Sequence, residues 1–300
     1  MIIRSDGLNK SFRRNHAVRG ISLAVPEGSV YALIGQNGAG KTTTIKTLLN
    51  ILMPTSGEAE VLGVDSRRLS PAELAQIGYV SENQELPGKL TVRAYLDYLR
   101  PFYPTWDSTL EQQLVTGFQL PTERWIRDLS RGMRMKVGLA AALCYRPRLL
   151  VMDEPFSGLD PLVRDELLQT LLQQSKDMTV FVSSHEIDEI ESSTSYVGYL
   201  EDGKLLFQES MADLTARVRE VRVILEADAR PSGHTPATWL NLSVSGNVVS
   251  FVDVRFSHAA LQEAVQSLFP GVRDIEAQPV ALRTIFTTLA RSRRNSESPK

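Results

Sequence analysis

Short apolar runs alternate with helical stretches over the larger, N-terminal part of the chain. Val30–Ile34, Leu149–Met152 and Thr179–Val182 are continuous runs of strand length, typical of strands buried on both faces. Two stretches without helix-breaking residues lie between or beside these runs and are predicted to be helices: Thr42–Leu52 and Leu162–Ser175. Strands that alternate with helices in this way predict an α/β domain with a mainly parallel sheet.

The pattern changes twice along the chain. From about 90 to 146 it is helical with little strand signal, which predicts a helical subdomain inserted into the α/β domain. We predict that the α/β domain covers 1–215, that a small α+β domain covers 216–290, and that 291–300 is a solvated tail with too little apolar surface to fold. The second domain is predicted to contain three strands, a helix, a strand and a last helix: Val221–Glu226, Thr238–Val244, Asn247–Val254, Ser257–Phe269, Val272–Ala277 and Ala281–Arg291.

The composition narrows the class of protein. With 42% hydrophobic and 23% charged residues, the chain is expected to be soluble and globular, not fibrous, mainly disordered or integral to a membrane. The formal net charge of −2 provides no basic excess, so no nucleic acid is expected as a partner. The uncharged stretch 235–252 is as long as a membrane helix, but its alternating polar residues predict two strands around the turn 245–247. The single cysteine, Cys144, cannot form an internal disulfide, which fits a reducing compartment.

A phosphate-binding motif follows the first buried strand. In the pattern G-x-x-x-x-G-K-[ST], glycines let backbone N–H groups approach phosphates, and the helix that follows presents its positive end to the anion. Lys41 is predicted to reach the β- and γ-phosphates and Thr42 to offer its hydroxyl to Mg²⁺. The residues of the motif are Gly35, Gln36, Asn37, Gly38, Ala39, Gly40, Lys41, Thr42 and Thr43.

Two acids end the second buried strand. Asp153 and Glu154 follow an apolar run, where buried charge is costly unless it has a partner. A metal–nucleotide complex is such a partner. In a chain without a phosphate-binding motif, two acids at the end of a strand are as often structural as functional. With the phosphate-binding motif upstream, we predict that Asp153 supports Mg²⁺ and that Glu154 polarises the water that attacks the γ-phosphate.

A third motif distinguishes among the families of phosphate-binding proteins. Leu129–Met133 reads Leu-Ser-Arg-Gly-Met, precedes a predicted helix and lies shortly before the acidic strand. Here the chain resembles the nucleotide-binding domain of ATP-binding cassette (ABC) transporters, whose signature motif has the form Leu-Ser-Gly-Gly-Gln. Arg131 and Met133 depart from that form. The resemblance implies that Ser130, Gly132 and the helix N-terminus bind the γ-phosphate of ATP held by a second cassette.

Further motifs follow in the order of that family. Ser157–Asp160 resembles the D-loop, which crosses between the two subunits, and the resemblance implies that Asp160 contributes to nucleotide binding. His185 resembles the switch histidine, which contacts the γ-phosphate and holds Glu154 in place. Phe12 stands where the family has an aromatic residue that stacks on adenine, and its alternative role is an ordinary core side chain.

One loop departs from the family pattern. After the strand Gly78–Val80 the family carries a Gln that binds Mg²⁺ and senses the attacking water. In this chain Glu82 is assigned to that position, since a carboxylate is a suitable Mg²⁺ ligand, and its negative charge is expected to alter turnover. Gln84 is the alternative if the register of the loop is shifted.

The resemblance covers about residues 1–215 and implies an ATPase that couples hydrolysis to transport, with ATP and Mg²⁺ as cofactors. It implies two partners: a second cassette, in a homo- or heterodimer, and a separate transmembrane permease subunit that the stretch Val92–Trp106 meets. The expected location is the cytoplasm, peripheral on the inner face of the cell membrane. The aromatic residues of that stretch are either partly exposed docking residues or core: Tyr95, Tyr98, Phe102, Tyr103 and Trp106.

The C-terminal domain resembles the extension of ABC exporter subunits of the drug- and antibiotic-resistance type, especially through 279–289, and so implies an exporter. Its role is left open between packing, dimerisation and regulation. The alternative function is a soluble ABC-type ATPase that acts as a switch on ribosomes or DNA. A single cassette, the lack of sustained heptads and the near-neutral charge favour the transporter.

Overall fold

The computed structural model describes residues 1–174, 178–186, 191–227 and 231–297. It forms two compact units, Met1–Gln208 and Glu209–Lys300. Each unit has its own apolar core. Within the described residues, no helix is both long enough and apolar enough to cross a membrane.

The first unit contains the predicted strands and helices of an α/β domain, with a helical region between two of the strands. Its strands are β1 (Ile3–Phe12), β2 (Asn15–Ile21), β3 (Ala24–Val25), β4 (Val30–Ile34), β5 (Ser56–Val61), β6 (Val64–Asp65), β7 (Ile77–Ser81), β8 (Leu149–Asp153), β9 (Thr179–Ser184), β10 (Tyr196–Glu201) and β11 (Lys204–Ser210). Its α-helices are α1 (Lys41–Leu48), α2 (Pro71–Leu74), α3 (Val92–Leu99), α4 (Ser108–Gly117), α5 (Arg131–Leu143) and α6 (Pro161–Gln174). Short 3₁₀ turns cover Ser66–Arg68, Arg100–Phe102, Ile126–Asp128 and Glu191–Ser193.

The predicted parallel sheet is confirmed. Its strand order is β11-β10-β4-β9-β8-β7, and the pairs from β10 to β7 are all parallel. All residues of β8 and β9 are buried, which explains their continuous apolar character. Because parallel strands end at the same edge, the loops after β4, β8 and β9 meet there. This edge brings together the phosphate-binding motif, the two acids and His185.

A second, antiparallel sheet was not predicted from the sequence. Its strand order is β2-β1-β5-β6, and β3 also pairs with β1. Its inward side chains, among them Ile3, Leu8 and Val61, share one core with Leu33 of β4 and Ile45 of α1. Its strands carry many exposed polar residues, so they lack the continuous apolar signal of the parallel strands.

Helix α1 ends earlier than the expected Leu52. Asn50 takes a left-handed backbone conformation with φ of 57°, directly after the last helical turn. The N–H of Ile51 donates to the Lys46 carbonyl at 2.9 Å, and the N–H of Asn50 donates to the Thr47 carbonyl at 3.3 Å. These are the two bonds of a Schellman ending, for which Asn is the usual alternative to Gly. The helix therefore stops before Pro54 is reached.

The helical region contains α3, α4 and α5 and is held together by a buried carboxylate. Glu111 is 4% exposed and accepts hydrogen bonds from Arg93, Arg100 and the indole of Trp106 at 3.2, 2.8 and 2.8 Å. A buried charge with three donors is compensated, so this network fixes α3 and α4 against each other.

The aromatic residues of the first helical stretch divide between the two predicted roles. Tyr95 is buried, and Tyr103 stacks on Tyr145 with 3.9 Å between ring centroids. By contrast, Tyr98 and Phe102 are 58% and 61% exposed and contact each other at 5.4 Å. Tyr95 is therefore a core residue, Tyr103 and Trp106 are half-buried, and docking by the exposed Tyr98 and Phe102 stays a prediction.

The second unit is an α+β structure with the predicted order of elements. It contains α7 (Met211–Arg217), β12 (Arg219–Leu225), β13 (Trp239–Ser245), β14 (Val248–Asp253), α8 (His258–Leu268), β15 (Val272–Pro279) and α9 (Leu282–Glu297). The sheet is antiparallel with the order β13-β14-β12-β15. The predicted turn between two strands in 235–252 is confirmed at Gly246 and Asn247.

The two ends of this unit differ from the expected bounds. The division falls at Gln208, earlier than 215, because α7 belongs to the second unit: Arg217 donates to Glu209 and to the Val254 carbonyl. At the other end, α9 continues to residue 297, into the segment expected to be a solvated tail. Residues 298–300 of that expected tail lie outside the described residues.

Candidate functional site

The loop after β4 has the geometry of a phosphate cradle. Gly40 takes φ of 104°, and a Cβ there would lie 2.4 Å from the Ala17 carbonyl oxygen. A Cβ on Gly35 would lie 2.3 Å from the Leu200 carbonyl oxygen. Only glycine fits both positions. The loop leads into α1, whose first turn receives no side-chain cap, so its N–H groups and positive end are available to an anion.

Lys41 occupies the centre of this cradle. Its side chain is 4% exposed, and its ammonium donates to the carbonyls of Gly35 and Gln36 at 2.6 and 3.1 Å. The same nitrogen lies 2.8 Å from Oε1 of Glu154. A buried ammonium with three oxygen partners is compensated, and its position places a positive charge where the loop would receive phosphates.

Glu154 connects two other predicted site residues. Its Oε2 lies 2.8 Å from Nδ1 of His185, while its Oε1 pairs with Lys41. Burial raises the pKa of the Glu154 carboxyl, but the hydrogen bonds and charges of Lys41 and His185 outweigh burial, and the net pKa lies below 4.5. Its φ of 52° is rare for a residue with a side chain, and such strain is concentrated at functional sites. The carboxylate is therefore ionised and fixed between two donors.

Asp153 lies beside the same cleft in a network of hydroxyl groups. Its Oδ1 accepts from Thr42 at 3.0 Å and from Ser183 at 2.8 Å. Ser183 Oγ also accepts from the N–H of Glu154 at 3.0 Å. Ser183 was missed in the sequence, although two serines between a buried strand and His185 were a usable signal. It fixes the two acids relative to each other.

The cleft in front of these groups has a volume of about 630 Å³. The cleft is lined by residues of the phosphate-binding motif and by Glu82, Glu154 and Ser157. It is also lined by a set of residues that the sequence analysis did not identify. That set comes from β2 and from the turn between β10 and β11: Asn15, His16, Ala17, Arg19, Asp202 and Gly203.

Phe12, the predicted adenine-stacking residue, does not line the cleft. It lies at the end of β1, is 43% exposed, and has the Lys10 ammonium 5.0 Å from its ring centroid. It pairs with Asn15 across the hairpin, and Asn15 does line the cleft. The alternative of a core side chain is wrong for Phe12, and stacking on adenine stays a prediction.

The residues predicted to act on a second cassette are also outside the cleft. Ser130 caps α5 by accepting from the N–H of Met133 at 3.2 Å, and Asp160 caps α6 by accepting from the N–H of Leu162 at 2.9 Å. A Cβ on Gly132 would lie 3.2 Å from Val163, so glycine also allows close packing there. Ser130, Gly132 and Asp160 therefore do not contact the Lys41 site within one chain.

Glu82 lines the cleft, but its carboxylate forms an ion pair. Oε1 accepts from the guanidinium of Arg131, the residue that departs from the signature motif. The N–H of Glu82 also donates to the Asp153 carbonyl at 3.0 Å. Gln84, the alternative, is exposed and does not line the cleft. The geometry thus favours Glu82 for the loop position, while its role as a metal ligand stays a prediction.

Comparisons with known proteins agree with this geometry. A model of the ABC transporter family matches residues 18–157. The bacitracin transport ATP-binding protein BcrA of Bacillus licheniformis is 34% identical over 226 residues, which are 73% of this chain and 73% of that protein. This chain belongs to the ABC transporter family.

Solved structures of ABC cassettes have the same fold as the first unit. The structure of an ATP binding subunit of an ABC transporter has a TM-score of 0.66 and 26% identity, covering 72% of this chain and 92% of that one. A dimeric post-hydrolysis structure of the cassette MJ0796 with ADP and Pi has a TM-score of 0.63 at 22% identity, covering 70% of this chain and 98% of that one. This ABC protein is therefore an ATP-binding subunit and an ATPase, and the alternative of a switch on ribosomes or DNA is not favoured.

Proposed function

We propose that this ABC protein is the ATPase subunit of an antibiotic exporter. The bacitracin transport protein supports this proposal, because it is similar over most of both chains. The observation that carries the ATPase function is the single cluster formed by Lys41, Glu154 and His185 at the end of the parallel sheet. The chain would act on the inner face of the cell membrane, with a separate membrane subunit.

The cluster supports a specific sequence of contacts. An entering triphosphate offers Lys41 better acceptors than Glu154, so the ammonium would move to the β- and γ-phosphates. Oε1 of Glu154 would then be free to accept a hydrogen bond from the attacking water. His185, bonded to Oε2, would keep the carboxylate in the required orientation. Catalysis then rests on positioning and charge, without a covalent protein intermediate.

The residues beside Lys41 fit a magnesium ion. Thr42 Oγ1 and Asp153 Oδ1 lie 3.0 Å apart, and Mg²⁺ prefers such hard oxygen ligands. We propose that Thr42 and Asp153, which also accepts from Ser183, would hold the ion. When bound, the ion would neutralise charge on the phosphates. Glu82 would approach the ion only through Oε2, since Oε1 is paired with Arg131.

A second cassette would complete the site. Ser130, Gly132 and Asp160 lie outside the cleft of their own chain, which supports the proposal that they contact the nucleotide of a different copy. The N-terminus of α5 would then face the γ-phosphate in a head-to-tail dimer. The cassette MJ0796, which has the same fold, is dimeric in its solved structure, and this supports a dimer of the present chain.

The exposed pair Tyr98 and Phe102 is proposed as part of the surface that meets the membrane subunit. Two large aromatic side chains, 58% and 61% exposed and in contact with each other, form an apolar patch next to the Glu111 network. That network would hold the patch rigid, so that movement of the helical region is passed to the partner.

A dilution experiment tests the proposed half-sites. ATP hydrolysis per mole of the purified full chain is expected to fall as the protein is diluted, because each copy lacks the Ser130 side of its own site. The control is ATP binding, which is expected to depend on Lys41 and to persist on dilution. Hydrolysis per mole that stays constant in a strictly monomeric preparation would contradict the dimer.

A further inference from the structure

Two residues that depart from the family pattern contact each other in this structure. Glu82 stands where the family carries Gln, and Arg131 stands where the signature motif carries Gly. The Arg131 guanidinium donates from Nη2 to Oε1 of Glu82. The contact joins the loop after β7 to the first residue of α5, although the two residues are 49 positions apart in sequence.

Glu82 lies between two cavities. On one side it lines the nucleotide cleft together with Lys41 and Glu154. On the other side it lines a cavity of about 240 Å³, which Arg131 also lines. Arg131 does not line the nucleotide cleft, so it affects the charge in that cleft by pairing with Glu82. Its guanidinium also lies against Gly158, where a Cβ would be 3.0 Å from Nη1.

The charges at this edge of the sheet explain why Glu82 needs a partner. Glu82 and Glu154 line the cleft, and Asp153 lies next to both. Lys41 pairs with Glu154, and Asp153 accepts from hydroxyl groups. Within the described residues, Glu82 forms its ion pair with Arg131. Without it, a carboxylate would repel the terminal phosphate of an entering nucleotide in a part-buried cleft, where screening is weak.

We propose that Arg131 is a positioning residue for Glu82. The ion pair holds the carboxylate against α5 and cancels its charge, so that a cassette with Glu in this loop accepts ATP as one with Gln does. A Gln would need no such partner, and a Gly in the signature motif would supply none. This inference deepens the proposed ATPase function and rests on it.

Calorimetric titration with Mg-ATP and Mg-ADP tests the proposal on four full-length proteins: wild type, Arg131→Gln, Glu82→Gln and the double variant. Arg131→Gln is expected to weaken ATP binding roughly tenfold, because an unpaired carboxylate faces the terminal phosphate. ADP binding is expected to change less, since ADP lacks the γ-phosphate. The double variant is expected to regain most of the ATP affinity that Arg131→Gln loses and to bind ATP as tightly as Glu82→Gln, since the repelling charge is gone.

Control variants make the same changes of charge in the same two segments. Glu85→Gln lies in the loop after β7, and Arg127→Gln lies just before the signature motif; neither residue lines the cleft. Both are expected to bind ATP like wild type. Thermal unfolding without nucleotide checks that each variant is folded, and Arg131→Lys is expected to retain most of the affinity.

Two results would overturn the pairing while leaving the ATPase function intact. One is an equal loss of ATP affinity in Arg131→Gln and in the double variant, because Arg131 would then act on nucleotide, or on the fold, without Glu82. The other is an unchanged affinity in Arg131→Gln. A wild-type chain that bound no ATP would instead contradict the proposed function, and the pairing proposal would fail with it.

Discussion

Buried polar groups have different kinds of partners in the two units of this ABC protein. In the first unit, Lys41 and Asp153 are buried, and they join Glu154, His185 and Ser183 in one network at the edge of the cleft. The network crosses three loops that are distant in sequence. Its members have each other as partners, and two of them, Lys41 and Glu154, line a cleft large enough for a nucleotide.

In the described part of the second unit, the two buried polar side chains, Asp253 and Thr288, each accept a hydrogen bond from a neighbouring residue. Asp253 accepts from the N–H of Arg255 at 2.9 Å, and Thr288 accepts from Asn241 at 2.9 Å. The rest of its described core is apolar, with Trp239 stacked on Phe251 at 4.0 Å between centroids.

Burying charge is costly, so a cluster of buried charges beside a cleft indicates chemistry, whereas an apolar core indicates packing. On this comparison, the residues that we propose for ATP hydrolysis lie in the first unit.

Glu154→Gln is expected to have the largest effect. Hydrolysis should fall roughly 10²–10⁴-fold, because the amide cannot accept the proton of the attacking water. ATP binding should persist, since Lys41 and the N-terminus of α1 remain. Phosphate release and a binding titration measure the two effects separately, and the variant should accumulate as an ATP-bound dimer on size-exclusion chromatography.

Glu123→Gln, an exposed change of the same kind, is the control for this experiment. Full hydrolysis by Glu154→Gln would show that the buried charges of the first unit are structural, and the comparison between the units would fail.

Phe251→Ala tests the same comparison in the second unit, by removing a side chain of its apolar core. Removing a 2%-exposed ring that stacks on Trp239 should lower the free energy of unfolding of the second unit by about 3–5 kcal/mol. Val244→Ala, on an exposed position of β13, should cost far less. Urea unfolding measures the loss, and ATP affinity under native conditions should be unchanged. A loss of affinity in the folded variant would place part of the nucleotide site in the second unit.

Lys41→Ala should weaken ATP binding by about 1.5–3 kcal/mol, the usual contribution of a hydrogen bond to a charged group. The variant also leaves the Glu154 carboxylate with His185 as its hydrogen-bonding partner in the cluster. Lys46→Ala removes the same charge from the last turn of the same helix and is expected to bind ATP normally. Equal losses in both variants would mean that the general positive charge of α1, and not the cradle, binds the phosphates.

The smallest expected effect is the acid dependence of stability. The pKa of Glu154 is lowered in the folded protein, so its contribution to stability is fully present above the unfolded value of 4.5 and is lost as the pH falls below it. The melting temperature of wild type should therefore fall more steeply in acid than that of Glu154→Gln. Parallel curves for the two proteins would show that Lys41 and His185 do not stabilise the carboxylate.

Much of the nucleotide site could be predicted from the sequence because its residues follow buried strands. A continuous apolar run identifies such a strand, and its C-terminal end locates the loop that carries Lys41, Glu154 or His185. The cleft residues from β2 escaped prediction because that strand is half exposed, so Asn15 and His16 have no distinguishing pattern. Asp202 and Gly203 escaped because a short turn after β10 reads as an ordinary loop.

The sequence by itself determined the parallel sheet with its alternating helices, the phosphate cradle and the two acids, since periodicity, glycine positions and local motifs are properties of neighbouring residues. Only the tertiary structure decided which distant residues meet. It paired Glu82 with Arg131, placed Ser183 between the two acids, and separated the exposed Tyr98 from the buried Tyr95. These contacts join segments far apart along the chain, and packing, which no local pattern encodes, brings them together.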